Sequence, residues 1–176
     1  ATGHRWFALH GTNSILRWSK PNKAWEAPRN VPTLMQTLGS QFLAHPPIAP
    51  YRVEVTAPDH PLVAGIEPFD ADDELYLSEL HGPLEVLLHT RWAGRTSMFV
   101  DSDWSRDEPR PVMYLKRTGT GEVLYLTLGH SRGRYDMRPL MEDYPTIERG
   151  SWHTPAFIEI LRRGIRWAAS GQRSAL

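Results

Sequence analysis

Two histidines stand directly after apolar runs that have the length of buried strands. His10 follows the run Trp6–Leu9, and His130 follows Leu128-Gly129. In an open α/β sheet, ligands bind beyond the carboxyl ends of the strands, so we expect His10 and His130 to lie together in one site. A neutral imidazole can bind a metal or transfer a proton. The alternative is a pair of loop histidines whose nitrogens hydrogen-bond to the backbone.

Carboxylates occur in two segments that could complete such a site. Glu74 ends the acidic run Asp72-Asp73-Glu74, and Glu79 precedes His81 by two positions. If Glu79 and His81 lie on a strand, they share one face, which suits a metal-ligand pair or an acid/base couple. The alternative for this segment is a solvated edge strand and turn.

These residues define two overlapping predicted sets. The predicted catalytic groups are His10, Glu74 and His130. The predicted metal ligands are His10, Glu79, His81 and His130. A divalent metal is expected, with zinc as the preferred ion. Imidazole and carboxylate are the strong ligands left in a chain that has no cysteine. No nucleotide or flavin is expected, since Gly119-Thr120-Gly121 lacks the third glycine of a dinucleotide fingerprint.

Several familiar catalytic motifs are missing from the sequence. It has no G-x-S-x-G elbow, no H-E-x-x-H and no P-loop, which disfavours a serine hydrolase or a nucleotide-binding enzyme. Trp152 lies among polar residues, where an exposed indole could stack on a sugar ring. Packing in the core or at an interface is the alternative for this tryptophan.

The elements that must position these side chains follow from hydrophobic periodicity. Short apolar or alternating runs predict five strands, at Trp6–Leu9, Tyr51–Thr56, Glu85–Thr90, Val112–Lys116 and Val123–Leu128. Helical spacing predicts two helices, near Val31–Leu43 and Pro155–Ala169. The last two strands form a hairpin, and the acidic, proline-containing segment Asp101–Pro111 is predicted to be a surface loop.

The closing helix has the strongest signals. Thr154 and Pro155 are typical of a helix start, and Gly171 is placed to follow its end. Its predicted buried stripe consists of Phe157, Ile160, Leu161, Ile165 and Ala168.

Composition excludes several classes of protein. The 176 residues carry 20 Lys+Arg and 20 Asp+Glu, so a nucleic-acid partner is not expected. Apolar runs are too short to cross a bilayer, and the absence of cysteine excludes disulfides and a thiolate nucleophile. We expect one soluble, cytoplasmic domain, although a start at Ala1 without Met resembles the interior of a longer protein.

Several separated motifs resemble the ThuA-like (trehalose-utilisation) family. They occur in family order, as Phe7–Gly11, His45-Pro46-Pro47, Asp59–Leu62, Gly65-Ile66, Asp73–Tyr76, Pro111-Val112, Gly119-x-Gly121, Leu128–Ser131 and Trp152–Phe157 with Gly164-Ile165-x-Trp167. The resemblance implies an α/β, flavodoxin-like fold of the class I glutamine-amidotransferase type, a three-layer sandwich. It also implies that the single domain 1–176 lacks the first strand-helix-strand portion of that fold.

The resemblance further implies a sugar-related role. The amidotransferase relatives carry a Cys nucleophile in the turn after the equivalent strand, where His10 occupies that neighbourhood here. The chain has no Cys at all, so glutamine hydrolysis through a thioester is excluded. His130 resembles the relatives' catalytic histidine. Tyr76 and Ser131, which belong to the matching motifs, are expected to contact substrate together with Trp152.

Two function hypotheses stay open at this point. In the first, the protein is a sugar-active hydrolase or isomerase that acts on a sugar or keto-sugar by metal-assisted or histidine-mediated acid/base chemistry. In the second, it is a non-catalytic carbohydrate-binding or interaction domain that has lost the amidotransferase nucleophile. The expected partner is a small-molecule sugar, and a homo-oligomer is left open.

Overall fold

The computed structural model describes residues 3–170, which form a mixed α/β fold. The strands are β1 (Arg5–Leu9), β2 (Arg17–Ser19), β3 (Ala24–Glu26), β4 (Ser40–Ala44), β5 (Ala49–Val55), β6 (Phe69–Asp73), β7 (Leu77–Leu80), β8 (Glu85–Arg95), β9 (Asp103–Thr118) and β10 (Gly121–Leu126). The helices are α1 (Pro32–Leu38) and α2 (Pro155–Ser170), and short 3₁₀ turns occupy His10–Asn13 and Gly150–His153. All five predicted strands are confirmed, with shifts at their ends.

The central sheet of the described residues has six strands in the order β1-β10-β9-β8-β5-β6. β1 runs parallel to β10, and the other neighbours in this sheet are antiparallel. β9 and β10 form the predicted hairpin, which closes between Thr118 and Gly121. Two small antiparallel pairs, β2 with β3 and β4 with β7, flank this sheet.

The two helices cover opposite faces of the sheet. Successive side chains of a strand point to opposite faces, and β10 shows this directly. Leu126 packs with Phe157 of α2, whereas the neighbouring Tyr125 packs with Leu38 of α1. The result is a three-layer α/β arrangement, as the family resemblance implies.

The first helix is shorter than the sequence predicts. It ends at Leu38, because Gly39 adopts φ 87° and donates its backbone N–H to the Met35 carbonyl at 2.8 Å. Glycine tolerates this left-handed conformation, which terminates helices. The chain then enters β4, so residues 40–43 belong to a strand and their assignment to a helix is wrong.

The prediction of a surface loop at Asp101–Pro111 is also wrong. Most of it forms the first half of β9, which pairs with β8 from Arg95↔Asp103 to His89↔Pro111. Its polar composition reflects exposure, because residues 105–109 are all exposed. Pro109 and Pro111 precede the part of β9 that also pairs with β10, and prolines are tolerated where one edge of a strand is free.

The closing helix is confirmed, but the prediction that Ile165 belongs to its buried stripe is wrong. Phe157 and Ile160 are fully buried, whereas Ile165 is 57% exposed. Gly164 takes the buried position instead and faces the ring of Phe7, which lies 2.7 Å from where a Cβ would be. The predicted Gly171 end lies outside the described residues. Within residues 3–170, no helix is both long enough and apolar enough to span a membrane.

Candidate functional site

His10 is held in an uncommon backbone conformation at the end of β1. It has φ 43°, in the left-handed region that non-glycine residues rarely occupy. The Tyr125 hydroxyl hydrogen-bonds to the His10 carbonyl and to the Asn13 side chain, so this 3₁₀ turn is tied to β10. Backbone strain of this kind costs about 1–3 kcal/mol and concentrates at functional sites.

The ring of His10 has a defined tautomer. Its Nδ1 lies 2.8 Å from the Thr127 carbonyl oxygen, which can only accept, so Nδ1 carries a proton and donates it. The other ring nitrogen, Nε2, lies 3.5 Å from Oε2 of Glu74. His10 therefore faces the carboxylate through Nε2.

Glu74 lies between His10 and His130. Its Oε1 is 3.1 Å from His130 Nδ1, and the two imidazole rings have centroids 5.6 Å apart. One ligand atom from each of these three residues lies within 4.8 Å of the others. The structure thus confirms that His10 and His130 are neighbours at one end of the sheet.

Asp73 positions Glu74 and His130 through the backbone. Its buried carboxylate accepts four backbone N–H groups, two on each oxygen. Oδ1 accepts those of Glu74 and His130 at 2.8 and 3.1 Å, and Oδ2 accepts those of Gly129 and Ser151, both at 2.9 Å. One side chain therefore fixes the end of β6, the turn after β10 and the start of the 3₁₀ turn before α2.

Gly150 permits this close arrangement. It adopts φ 45°, and a Cβ at this position would stand 2.9 Å from Asp73 Oδ2 and collide with the His130 carbonyl. Only glycine fits without displacing the carboxylate.

The second nitrogen of His130 is also paired with a carboxylate. Its Nε2 lies 2.6 Å from Oε2 of Glu148, which also accepts from Arg132 at 3.0 Å. The Tyr144 hydroxyl donates to the other oxygen of Glu148 at 3.0 Å. The segment between His130 and the closing helix, which carries no recognisable motif, thus supplies both an acid and a cation to the site.

The charges of Glu74 and His130 stabilise each other. Burial acts to raise the pKa of Glu74, but the contacts with His10 and His130 outweigh it and hold that pKa well below its usual range. Burial likewise acts to lower the pKa of His130, but hydrogen bonds to Glu74 and Glu148 raise it above its ordinary value. An ionised carboxylate thus lies against an imidazole that readily holds a proton.

His45 is a further site residue, and the sequence analysis treated it only as part of a family motif. It follows β4, its Nδ1 donates to the Pro46 carbonyl at 2.7 Å, and its Nε2 lies 3.8 Å from Glu74 Oε1. The signal that could have found it is the one that found His10, a histidine directly after an apolar strand.

The predicted ligands Glu79 and His81 are not brought to this cluster. Glu79 lies on β7, where it pairs with Arg29 at 3.1 Å and with His81 Nε2 at 3.6 Å. Neither residue lines the cavity that holds His10 and Glu74. The predicted set of four metal ligands is therefore corrected, because Glu79 and His81 do not belong to the cluster. β7 runs antiparallel to β4, with Leu77 beside Ala44 and Glu79 beside Gln41, so Glu79 lies away from the end of β4 that His45 follows.

A cavity of about 830 Å³ opens over the cluster. This volume lies within the range of small-molecule sites. The lining residues at its polar end include His10, His45, Glu74, His130 and Arg132, and Tyr76 and Ser131 also line it, at positions from which they can contact a ligand.

Trp152 does not line this cavity. Its ring packs on Phe157 with centroids 5.2 Å apart, and its Nε1 donates to the Gly129 carbonyl at 3.1 Å. Its place beside the turn after β10 makes packing, rather than sugar stacking, the role that these contacts support.

The donor set fits a divalent metal such as zinc. His10 Nε2, a Glu74 oxygen and His130 Nδ1 are suitable ligands, and three protein ligands are typical of catalytic zinc sites. Metal-bound histidines usually donate their other ring N–H to a carbonyl or carboxylate, and Thr127 and Glu148 provide those acceptors here.

Comparison with known proteins identifies one family. The model of the ThuA family, described as trehalose utilisation, matches residues 21–142, a range that includes His45, Glu74 and His130. A crystal structure of a ThuA-like protein from Parabacteroides merdae ATCC 43184 is similar, with 19% sequence identity and a TM-score of 0.48. The alignment covers 76% of this chain and 42% of that one, so the chain spans less than half the length of that protein.

Among curated proteins, none matches this chain. The family match covers more than half of the chain and includes the central strands, the Glu74 turn and the His130 turn. The chain therefore belongs to the ThuA (trehalose utilisation) family.

Proposed function

We propose that this protein acts on a sugar or keto-sugar derivative by acid/base chemistry assisted by a divalent metal, with zinc as the preferred ion. The observation that carries the proposal is the convergence of His10, Glu74 and His130 within 4.8 Å at the floor of a cavity. The family's association with trehalose utilisation supports a carbohydrate as the substrate.

The three converging side chains are the proposed metal ligands. The metal would supply Lewis-acid polarisation of a substrate oxygen or lower the pKa of a water molecule. His10 is oriented for this role by Thr127, and His130 by Glu148. Asp73 fixes the backbone of both Glu74 and His130, so the ligand positions are set before anything binds.

His45 is the proposed acid/base group. It lines the cavity and lies outside the three-ligand set. Because its Nδ1 proton is donated to the Pro46 carbonyl, Nε2 can accept a proton from the carbon beside a substrate carbonyl and return it. Proton transfer of this kind needs no cysteine, consistent with a chain that has none.

The test measures hydrogen exchange in ketoses. Zinc-loaded protein is incubated with D-fructose and other ketoses in D₂O, and NMR follows the hydrogens beside the carbonyl. We expect exchange with the unchanged protein and a loss of about 100-fold or more in His45→Gln, the usual contribution of a general base. His89→Gln is the matched control, because His89 lies on β8 outside the cavity.

Two results would contradict the proposal. One such result is that the protein binds sugars but neither exchanges nor cleaves any member of a panel of ketoses and glycosides. That result would favour the second hypothesis, a non-catalytic carbohydrate-binding domain. Equal exchange in His45→Gln and the unchanged protein would remove His45 from the mechanism. The cytoplasmic location expected from the sequence stays a prediction.

A further inference from the structure

Beyond the polar cluster, one part of the cavity is lined by an apolar wall, defined here as Leu16, Trp25, Met98 and Phe99. The wall is continuous with the polar end, since the ring of Phe99 lies 5.0 Å from that of His45. A ligand held at Glu74 therefore extends toward these side chains if it is longer than one sugar ring.

The wall is fixed by backbone contacts between distant segments. Trp25 on β3 donates its N–H to the Met98 carbonyl at 2.9 Å, and Val100 donates to the Trp25 carbonyl at 2.8 Å. These bonds hold the segment after β8 against β3. The apolar surface is thus built into the fold before any ligand arrives.

Met98 is the exposed member of the wall. It is 57% exposed, whereas Phe99 behind it is 6% exposed. Exposed methionines and tryptophans suit flat apolar ligands, because a thioether adapts to their shape and packs favourably on aromatic rings. Isolated exposed methionines need no explanation, but this one lines a cavity beside a cluster of titratable groups.

The chemistry of the wall distinguishes between two kinds of substrate. A second sugar would place hydroxyl groups against Leu16, Met98 and Phe99, whose side chains give them no good hydrogen-bond partner, and burying such groups unpaired is unfavourable. The nearby Thr96 hydroxyl already donates to the Asp101 carbonyl at 3.2 Å. An aromatic ring, by contrast, gains from leaving water for this surface.

We propose that the wall is an aglycone subsite, and that the preferred substrates are glycosides of an aromatic alcohol rather than disaccharides. The sugar lies at the polar end beside Glu74, and the aromatic ring packs against Met98 and Trp25. A cavity of about 830 Å³ has room for both parts. This inference rests on the proposed function, because it assumes that the polar end holds a sugar.

The test compares ligands that share one sugar. Calorimetry measures the binding of 4-nitrophenyl glucoside, methyl glucoside and trehalose, with matched anomers, to zinc-loaded protein. We expect the aryl glucoside to bind at least about tenfold more tightly than the other two, which corresponds to about 1.4 kcal/mol. Met98→Ser is expected to remove most of this advantage while leaving the affinity for methyl glucoside unchanged.

Met141→Ser is the matched control. Met141 is 44% exposed and does not line the cavity, so its replacement leaves the advantage of the aryl glucoside intact. Equal affinities for the aryl and methyl glucosides, or tighter binding of trehalose, would overturn the aglycone subsite and leave the proposed function standing. Failure of every glycoside to bind, in protein that binds zinc and exchanges ketose hydrogens, would overturn the aglycone subsite alone, and failure to bind both glycosides and ketoses would overturn both proposals.

Discussion

The Oδ1 atom of Asp73 accepts the backbone N–H of His130 at 3.1 Å, although 57 positions separate these two residues in the chain. The same oxygen accepts the backbone N–H of Glu74 at 2.8 Å. One carboxylate thus sets the spacing between the two segments that supply the acid and the imidazole of the site. Its own oxygens are occupied by backbone groups and take no part in the cluster.

Asp73→Asn tests this positioning role. The amide keeps the shape but replaces an acceptor oxygen with an NH₂ group that faces backbone N–H donors, so buried donors lose a partner. We expect a loss of about 1–3 kcal/mol in the free energy of unfolding, together with weaker zinc binding. Denaturant unfolding and calorimetry measure the two effects.

Asp72→Asn is the control for that experiment. Asp72 is the exposed neighbour on β6, so its replacement is expected to change the free energy of unfolding by less than about 0.5 kcal/mol. Equal effects of the two substitutions would show that the four amide contacts of Asp73 do not organise the site.

Zinc is expected to raise the thermal stability of the protein. Binding to the folded state alone contributes about 2.7 kcal/mol at a hundred times the dissociation constant. His10→Ala and His130→Ala each remove one of the three proposed ligands and are expected to lose this gain, whereas His81→Ala, outside the cluster, retains it. Elemental analysis and melts before and after chelation provide the measurement, and a melt indifferent to zinc would exclude the metal site.

The metal-free protein has a pH dependence whose sign follows from His130. The pKa of this histidine is raised in the folded state above its ordinary value of 6.5. Its contribution to stability is therefore fully present below pH 6.5 and is lost as pH rises through the folded pKa. Glu148→Gln removes one of the two carboxylates and is expected to lower that pKa.

NMR titration of the His130 ring after chelation measures this shift directly. Denaturant unfolding over the same pH range measures its effect on stability. A His130 pKa at or below 6.5 would contradict the placement of this ring between the carboxylates of Glu74 and Glu148.

The two isoleucines of α2 give a test of the buried helix face. Ile160 is fully buried and Ile165 is 57% exposed. Ile160→Ala is expected to cost about 2–5 kcal/mol, and Ile165→Ala less than about 0.5 kcal/mol. Similar losses in the two variants, measured by denaturant unfolding, would mean that the helix packs through a different face.

Gly164→Ala tests the contact between α2 and β1. Alanine favours helices over glycine by about 1 kcal/mol, but here its Cβ would lie 2.7 Å from the Phe7 ring. We expect overpacking to win and to destabilise the protein by about 1–3 kcal/mol. Adding Phe7→Leu should recover part of the loss, and a more stable Gly164→Ala single variant would show that the ring moves aside freely.

Local sequence patterns were sufficient for much of the fold and for part of the site. Apolar or alternating runs predicted five of the six strands of the central sheet, and Thr154-Pro155 marked the start of α2, because short-range periodicity and capping act within a few residues. The same local rule, a histidine after a buried strand, identified His10 and His130. It failed for residues 101–111, since a polar ribbon and a polar loop have the same composition.

The partners of those histidines were decided only by the tertiary structure. Glu74 and Glu79 are equally good ligands by sequence, but the backbone bonds of Asp73 bring Glu74 to the cluster while Arg29 holds Glu79 elsewhere. His45 joins the site from the turn after β4, and Arg132 and Glu148 join it from the segment between His130 and α2. Contacts between residues far apart in the chain depend on how sheets and loops pack, and hydrophobic periodicity carries no information about that packing.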